Sequence, residues 1–194
     1  LKVDGSVVTW GDNSTGGDSS SVSNDLQSNV TQIFSSYGAF AALREDGSVV
    51  TWGSSKEGPY SSDRGGDSSS VSTDLQSGVT QISSTGSAFA ALKDDGSVIT
   101  WENSMGGYGG DSSSVSNALQ SGVTQIFSNY SAFAALKDDG SVITWGSSWD
   151  GGDSSSVASQ LQSGVIQIFS TDVAFAALKE DCLLYTSDAA DDDA

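Results

Sequence analysis

Hydrophobic and polar residues alternate in short segments that recur along the chain. In residues 30–52, Val-Thr-Gln-Ile-Phe and Ser-Val-Val-Thr-Trp alternate, and Ala-Phe-Ala-Ala-Leu between them is a nearly continuous apolar run. Alternation predicts half-buried β-strands, and a short apolar run bounded by turn residues predicts a buried strand. Each copy of the pattern therefore predicts three strands.

The same phrase occurs about four times, with uneven spacing between copies. From Asp18 to Trp52 the separation is 34 residues, and it is again 34 from Asp67 to Trp101 and from Asp111 to Trp145. The gap from each repeat tryptophan to the next such aspartate varies, being 8, 15, 10 and 8 residues. All length variation thus falls in one connection, which predicts a surface loop beside a constant packed unit.

Two local features predict how the strands are connected. The last two strands of a copy are joined by Asp-Gly, a pair that supplies the positive φ angles of a tight hairpin. The segment 18–26 has a capping residue and apolar positions four apart, which predicts either a short helix or a fourth, outer strand. The predicted turn glycines are Gly5, Gly47, Gly96 and Gly140.

The large apolar side chains recur at fixed repeat positions, which predicts a structural core. All seven phenylalanines and four of the five tryptophans occupy such positions. The predicted core aromatics are Trp10, Trp52, Trp101, Trp145, Phe40, Phe89, Phe133 and Phe175.

Composition excludes several classes of function. The chain has 194 residues, no histidine, one cysteine (Cys182) and a net charge of -18 from 7 basic and 25 acidic residues. These figures exclude histidine-dependent catalysis and a cysteine cluster, so we predict no cofactor and no metal site. A chain with so few cations lacks the basic stripe that nucleic acid requires, and its apolar runs are too short to span a membrane. The cellular compartment stays open.

Paired carboxylates recur at the hairpin turn of every copy. An enzyme needs one such pair in a cleft, whereas a turn needs one in each repeat, so we predict a structural role rather than acid–base chemistry. The recurrent Gly-Gly-Asp-Ser-Ser leaves weak calcium binding as an alternative. The pairs are Glu45-Asp46, Asp94-Asp95, Asp138-Asp139 and Glu180-Asp181.

The motif Ala-Leu-x-x-Asp-Gly-x-Val-x-x-Trp-Gly, at 42–53 and 135–146, resembles the repeat of the regulator of chromosome condensation family. The resemblance covers residues 1–181 and implies the family's seven-bladed β-propeller. It also implies protein–protein interaction, because some members are exchange factors for a small GTPase and others are modules of large ubiquitin ligases. The chain departs from the family in lacking histidine, in having Glu102 after Trp101, and in reading Gly-Gly-Asp-Ser where the family has Gly-Gln-Leu-Gly.

Four units cannot close a ring of seven, so the sequence predicts a mainly β fold in the form of an open arc of about four propeller blades. Each blade has three to four antiparallel strands, with or without one short helix; a β-rich solenoid is the alternative. The predicted units are 1–10 (partial), 11–52, 53–101, 102–145 and 146–181 (incomplete). Residues 182–194 leave the pattern and resemble a translated transposase adapter of sequencing libraries, so we expect a non-native or disordered tail.

Sequence differences between copies concentrate on one predicted face of the blades. The variable loop after each tryptophan and the short loop after the first strand open on the same side, and both carry the aromatic and arginine residues that binding hot spots favour. Drift in unconstrained loops is the structural alternative. The candidate binding residues are Tyr37, Lys56, Tyr60, Arg64, Tyr108, Tyr130 and Trp149.

The sequence therefore favours a non-enzymatic, protein-binding scaffold module that uses the variable-loop face, with another protein as its partner. Two alternatives stay open. One is exchange-factor activity on a small GTPase, although no exchange-factor residue matches here. The other is a secreted glycan-binding or structural surface protein, which the Ser/Gly-rich composition and the glycosylation motifs at Asn13, Asn29 and Asn129 permit.

Overall fold

A computed structural model describes residues 1–54, 64–102 and 109–180. Within them the chain forms three three-stranded antiparallel sheets and one two-stranded sheet, each built from strands consecutive in sequence. The sheets follow one another without closing into a barrel, so the molecule is mainly β and forms an open arc of about four blades. The strands are β1 (Val30–Ser35), β2 (Ala39–Arg44), β3 (Val49–Gly53), β4 (Val79–Ser84), β5 (Ala88–Lys93), β6 (Val98–Glu102), β7 (Val123–Ser128), β8 (Ala132–Lys137), β9 (Val142–Gly146), β10 (Val165–Ser170) and β11 (Phe175–Lys179).

The three complete sheets have the same strand register. In each, the phenylalanine of the middle strand lies directly opposite the tryptophan of the third strand, as Phe40 does opposite Trp52. The first and second strands share an irregularity at the same place in all four sheets, between Val30 and Gln32 in the first. Repetition in the sequence is therefore reproduced as repetition in pairing.

The segment between repeat tryptophans and first strands contains short 3-10 turns and no fourth strand in the part of the chain that the structure describes. Serine is a poor helix former, and Asp18 accepts a hydrogen bond from the amide of Ser20 at 2.8 Å, which favours a single turn over a longer helix. Of the two predicted forms, the short helix is closer to the observed 3-10 turns than the fourth strand is. The 3-10 turns span Asn13–Thr15, Ser20–Val22, Ser69–Val71, Asp74–Gln76, Ser113–Val115, Ser148–Asp150 and Ser155–Gln160.

The hairpin turn differs from the predicted one in its backbone angles. Only the glycine has a positive φ, +74° at Gly47, while Asp46 does not. The amide of Gly47 donates to the carbonyl of Arg44, and the amide of Arg44 donates to the carbonyl of Ser48, both at 3.0 Å. This is a three-residue loop closed by a left-handed glycine, so the prediction that Asp and Gly both take positive φ was wrong.

The turn glycines also join each blade to the next one. The carbonyl of Gly47 accepts a hydrogen bond from the amide of Val79 at 3.0 Å, and Gly5, Gly96 and Gly140 make the same bond. A side chain cannot be added here, since a Cβ on Gly96 would lie 2.7 Å from the amide nitrogen of Gly122. Glycine is therefore required both by φ and by the close approach of the next blade.

The core consists of separate apolar clusters, most of them formed between neighbouring sheets, rather than one centre. Phe89 and Trp101 stack with ring centroids 5.3 Å apart and planes at 15°, and Phe40–Trp52 and Phe133–Trp145 do the same. The middle-strand alanines of the three complete sheets are almost completely buried, which lets adjacent sheets approach closely. Each blade thus shares its core with its neighbours.

One predicted core aromatic lies at the surface. Trp10 is 83% exposed, so the prediction that it belongs to the core was wrong. It occupies a third-strand position, but no middle strand carrying a phenylalanine pairs with it among the described residues. Phe40 and Phe175, at the two ends of the arc, are only half-buried, whereas Phe89 and Phe133 are fully buried.

We predict that Gly96→Ala destabilises the fold more than Gly11→Ala. Both glycines have positive φ, which costs an alanine about 1–2 kcal/mol. Gly96 adds the clash with Gly122, whereas a Cβ on Gly11 meets nothing within 4 Å. Urea unfolding monitored by tryptophan fluorescence measures the difference, and equal losses in the two variants would refute the inter-blade role.

Candidate functional site

The loops between first and second strands meet at one face of the arc. A series of backbone hydrogen bonds joins them: Tyr37 donates to Gly86 at 3.0 Å, Gly86 donates to Tyr130 at 2.8 Å, and Tyr130 donates to Asp172 at 3.0 Å. Each loop is thereby fixed to the next one by its main chain. The side chains at these positions, which differ between copies, project from a rigid base.

The loop glycine of the second blade allows the tyrosines of the first and third blades to meet. Tyr37 and Tyr130 pack edge to face, with ring centroids 5.9 Å apart and planes at 83°. A Cβ on Gly86 would lie 3.1 Å from Cδ2 of Tyr37 and 3.4 Å from the carbonyl oxygen of Tyr130. Tyr37 is 65% exposed and Tyr130 44% exposed, so the pair lies on the surface although its geometry is fixed.

Arg64 completes this group. Its guanidinium carbon lies 5.6 Å from the centroid of Tyr37, and its Nη1 donates to Oγ of Ser87 at 3.2 Å. Its main chain is held as well, because its carbonyl accepts a hydrogen bond from Oγ of Ser36 at 2.6 Å. We refer to Tyr37, Arg64 and Tyr130 as the aromatic turn cluster.

The structure thus brings three of the predicted binding residues together from both kinds of loop. Trp149 lies on a different turn, Ser148–Asp150, and is 94% exposed. That turn is also fastened to the same face, since Asn129 donates to the carbonyl of Asp150 at 2.6 Å and Ser131 donates to its carboxylate at 2.8 Å. Lys56, Tyr60 and Tyr108 lie outside the described residues.

The sequence did not identify Gly86 and Ser87 as part of the cluster. Gly86 leaves space beside the two tyrosines, and Ser87 accepts a hydrogen bond from Arg64. Aligning the four first loops would have given a signal, because Gly86 stands where other copies have Tyr37, Tyr130 and Asp172. An isolated loss of the side chain between two tyrosines indicates space for them to meet. Whether the two tyrosines are in contact depends on how the blades stack, and the sequence of a single copy does not show this.

The second carboxylate of three recurrent pairs, at Asp46, Asp95 and Asp139, stabilises its own turn. The hydroxyl and amide of Ser48 donate to Asp46 at 2.6 and 2.9 Å, and these bonds hold the pKa of Asp46 below its ordinary value. Hydrogen bonds from Ser97 and Ser141 likewise lower the pKa of Asp95 and Asp139. Carboxyl groups whose pKa is lowered in this way are ionised at neutral pH and are therefore poor general acids.

The Gly-Gly-Asp segment is explained by packing. A Cβ on Gly65 would lie 2.5 Å from the ring of Phe89, and one on Gly66 would lie 2.5 Å from the carbonyl oxygen of Ser54. Asp67 accepts a hydrogen bond from the amide of Ser69 at 2.9 Å. The part of the chain with described coordinates contains no group of three or more residues that could hold a metal ion.

No helix within the described ranges has the length and apolar character needed to cross a membrane.

Comparison with known proteins gives structural neighbours only. No protein-family model matches the chain, and no curated protein matches it. Similar solved structures include yeast RCC1 (Prp20) bound to Kap60, with 19% identity and a TM-score of 0.44 over 60% of this chain and 29% of that one. Prp20p from Saccharomyces cerevisiae has 16% identity and a TM-score of 0.45, covering 79% and 37%. Human WBSCR16 has 22% identity and a TM-score of 0.38, covering 61% and 34%.

The chain therefore spans about a third of the length of these solved proteins. Two of the three structures are of RCC1, from the family that the sequence motifs resemble. The likeness concerns the fold alone, which in this chain is the repeated three-stranded antiparallel sheet.

We predict that Ser97→Ala raises the pKa of Asp95 toward its ordinary value of 3.8, because the alanine removes the hydroxyl bond that lowers it most. A lowered carboxyl pKa stabilises the fold above the unfolded-state pKa, and this contribution is lost as the pH falls through the folded-state value. The variant should therefore lose less stability on acidification. Carboxyl NMR titration measures the shift, with Asp139 in the same molecule as the unchanged control.

We also predict measurable coupling between Arg64 and Tyr37. An exposed cation–π contact contributes about 0.5–1 kcal/mol, so a double-mutant cycle of Arg64→Ala and Tyr37→Leu should give a coupling energy of that order. Arg44 lies at the far end of β2, and a cycle of Arg44→Ala with Tyr37→Leu should be additive. Additivity in both cycles would show that the arginine does not hold the ring.

Proposed function

We propose that the chain is a non-enzymatic, protein-binding module that recognises its partner through the aromatic turn cluster. The observation that carries this proposal is the surface meeting of Tyr37, Tyr130 and Arg64 from different blades, on main chain that is hydrogen-bonded from loop to loop. Exposed tyrosines that only drifted in unconstrained loops would have no reason to share a fixed contact.

The chemistry of the cluster suits protein recognition. Tyrosine and arginine are enriched among the residues that contribute most to binding energy, because they offer apolar area together with hydrogen-bonding groups. Tyr37 and Tyr130 have few rotatable bonds, and their edge-to-face contact limits these further. Binding to such a surface therefore loses little side-chain entropy, which favours affinity.

The charge of the chain favours one kind of partner. Residues 1–181 carry 21 acidic and 7 basic residues, and this excess of negative charge attracts a protein with a cationic surface over long range and speeds their encounter. Within this acidic surface, Arg64 is a local positive group beside two aromatic rings. We infer that acidic repeats steer the partner while the cluster supplies the specific contacts.

We assign no catalytic role to the module. In three of the recurrent carboxylate pairs the second member, Asp46, Asp95 or Asp139, accepts hydrogen bonds inside its own turn. Serine is abundant, but the sequence contains no histidine that could activate it.

The test is selection of displayed random peptides against the immobilised chain, followed by affinity measurement of the enriched peptides. We expect the double variant Tyr37→Ala with Tyr130→Ala to weaken binding about tenfold or more, since losing two hot-spot side chains removes at least about 1.4 kcal/mol. Phe169→Ala serves as a matched control, because it removes an exposed aromatic of β10 that is not among the candidate binding residues. Circular dichroism confirms that all variants fold.

Two results would contradict the proposal. One is the absence of any enriched peptide, and the other is equal binding of the enriched peptides by the double variant. The structural neighbour Prp20p has binding properties toward Gsp1p and histones. Purified Gsp1p in a nucleotide-exchange assay therefore tests the exchange-factor alternative, which accelerated release would favour, and a glycan array tests the other alternative.

A further inference from the structure

Two equivalent serines on neighbouring loops hold side chains of opposite charge. Ser87 and Ser131 occupy the same position in the loops between first and second strands of the second and third blades. The hydroxyl of Ser87 accepts a hydrogen bond from the guanidinium of Arg64 at 3.2 Å, whereas the hydroxyl of Ser131 donates to the carboxylate of Asp150 at 2.8 Å. One repeat position thus fixes a cation in one blade and an anion in the next.

The two charged residues are equivalent as well. Arg64 and Asp150 each lie immediately before the glycine that packs against the phenylalanine of its blade. Their carbonyls accept hydrogen bonds from equivalent side chains, from Ser36 to Arg64 and from Asn129 to Asp150, both at 2.6 Å. The first copy has the uncharged Thr15 at this position. Opposite charges are therefore features of particular blades, placed on a common main-chain frame.

The tyrosine pair of the aromatic turn cluster lies between these charges. Arg64 contacts the ring of Tyr37, and Tyr130 immediately precedes the serine that holds Asp150. The loops that carry the two serines are joined by a main-chain hydrogen bond of 2.8 Å. Hydrogen-bonded chain segments lie about 5 Å apart, so the guanidinium and the carboxylate are separated by a distance on the order of 10 Å.

Both charged groups can bind a ligand without giving up these contacts. A guanidinium has five N–H donors and a carboxylate about four acceptor sites, and the described residues use one of each. Among the described residues neither Arg64 nor Asp150 belongs to an ion pair. Both residues are half-buried, which strengthens a charged contact relative to a fully exposed one. Trp149 precedes Asp150, is 94% exposed, and offers an indole face to a cation.

We propose that the partner presents a short polyproline II segment with an acidic and a basic side chain three residues apart. Arg64 binds the acid, Asp150 and Trp149 bind the base, and an apolar side chain between them contacts Tyr37 and Tyr130. A polyproline II helix has three residues per turn and rises about 3.1 Å per residue, so such charges lie on one side, about 9 Å apart. The inference rests on the proposed protein-binding role of the aromatic turn cluster and specifies the chemistry of its partner.

The same two charges exclude other segments. Residues 1–181 carry an excess of acidic residues, which attracts cationic peptides of many kinds. Arg64 repels a segment that is cationic throughout, and Asp150 repels one that is acidic throughout. Specificity depends on such repulsion as much as on attraction, so the face selects a segment that carries both charges.

Displayed peptide libraries with two fixed charges test the proposal on the 194-residue chain. The libraries contain Asp-x-x-Lys, Lys-x-x-Asp, Lys-x-x-Lys or Asp-x-x-Asp between random flanks. We expect the best peptides of one or both mixed-charge libraries to bind about tenfold more tightly than those of the uniform libraries. Equal binding of mixed and uniform peptides would overturn this proposal and leave the protein-binding role intact. Absence of binding from all the libraries would overturn both.

Charge reversal then identifies which residue contacts each end of a selected peptide. Arg64→Glu should weaken binding about tenfold, and replacing the peptide's Asp by Lys should restore it, which a purely structural role of the arginine would not allow. Asp150→Asn keeps an acceptor for Ser131 and should abolish the preference for the peptide's Lys over norleucine.

Two variants control for net charge. Lys2→Glu matches Arg64→Glu, and Asp94→Asn matches Asp150→Asn; both are exposed positions at hairpin turns, and Asp94 follows the end of β5 that is remote from the loops of the cluster. Both should bind the selected peptide as the unmodified chain does. Unchanged binding by Arg64→Glu, or a loss that the altered peptide does not restore, would overturn the proposal.

Discussion

The stacked phenylalanine–tryptophan pair, seated on a glycine, is the contact on which the rest of the structure depends. The indole of Trp101 donates to the carbonyl of Gly65 at 3.1 Å, and Phe89 lies so close to Gly65 that a Cβ there would enter its ring. One contact thus fastens the third strand, the middle strand and the returning variable loop. Loop length can change between copies without moving the blade, because every loop ends at the same anchored glycine.

This anchor also positions the candidate site. Arg64 immediately precedes Gly65. Because the core holds Gly65, the position of the Arg64 main chain is set by the core and not by the variable loop. Tyr37 is fixed differently, through main-chain hydrogen bonds to the neighbouring loops. Variable side chains on an invariant base are the arrangement that lets a repeat protein change its partner without changing its fold.

The sequence predicted what lies within one copy better than what lies between copies. Three strands and a glycine turn follow from the alternation around Asp46-Gly47 and were found. The exposure of Trp10 could not be predicted from its own copy, because burial of that ring requires a middle strand that no described residues supply. The contact between Tyr37 and Tyr130 depends on how the blades stack and on the absence of a side chain at Gly86. Neither can be predicted from the periodicity of the sequence.

Sharing the core between neighbours explains why the ends of the arc differ from its middle. An interior blade has both faces covered, whereas an end blade has one face for which nothing in the described chain is a partner, and its apolar positions become exposed. Leu178 is 48% exposed while its equivalent Leu92 is 5% exposed, so burial at a repeat position depends on the neighbouring blade and not on the repeat's own sequence.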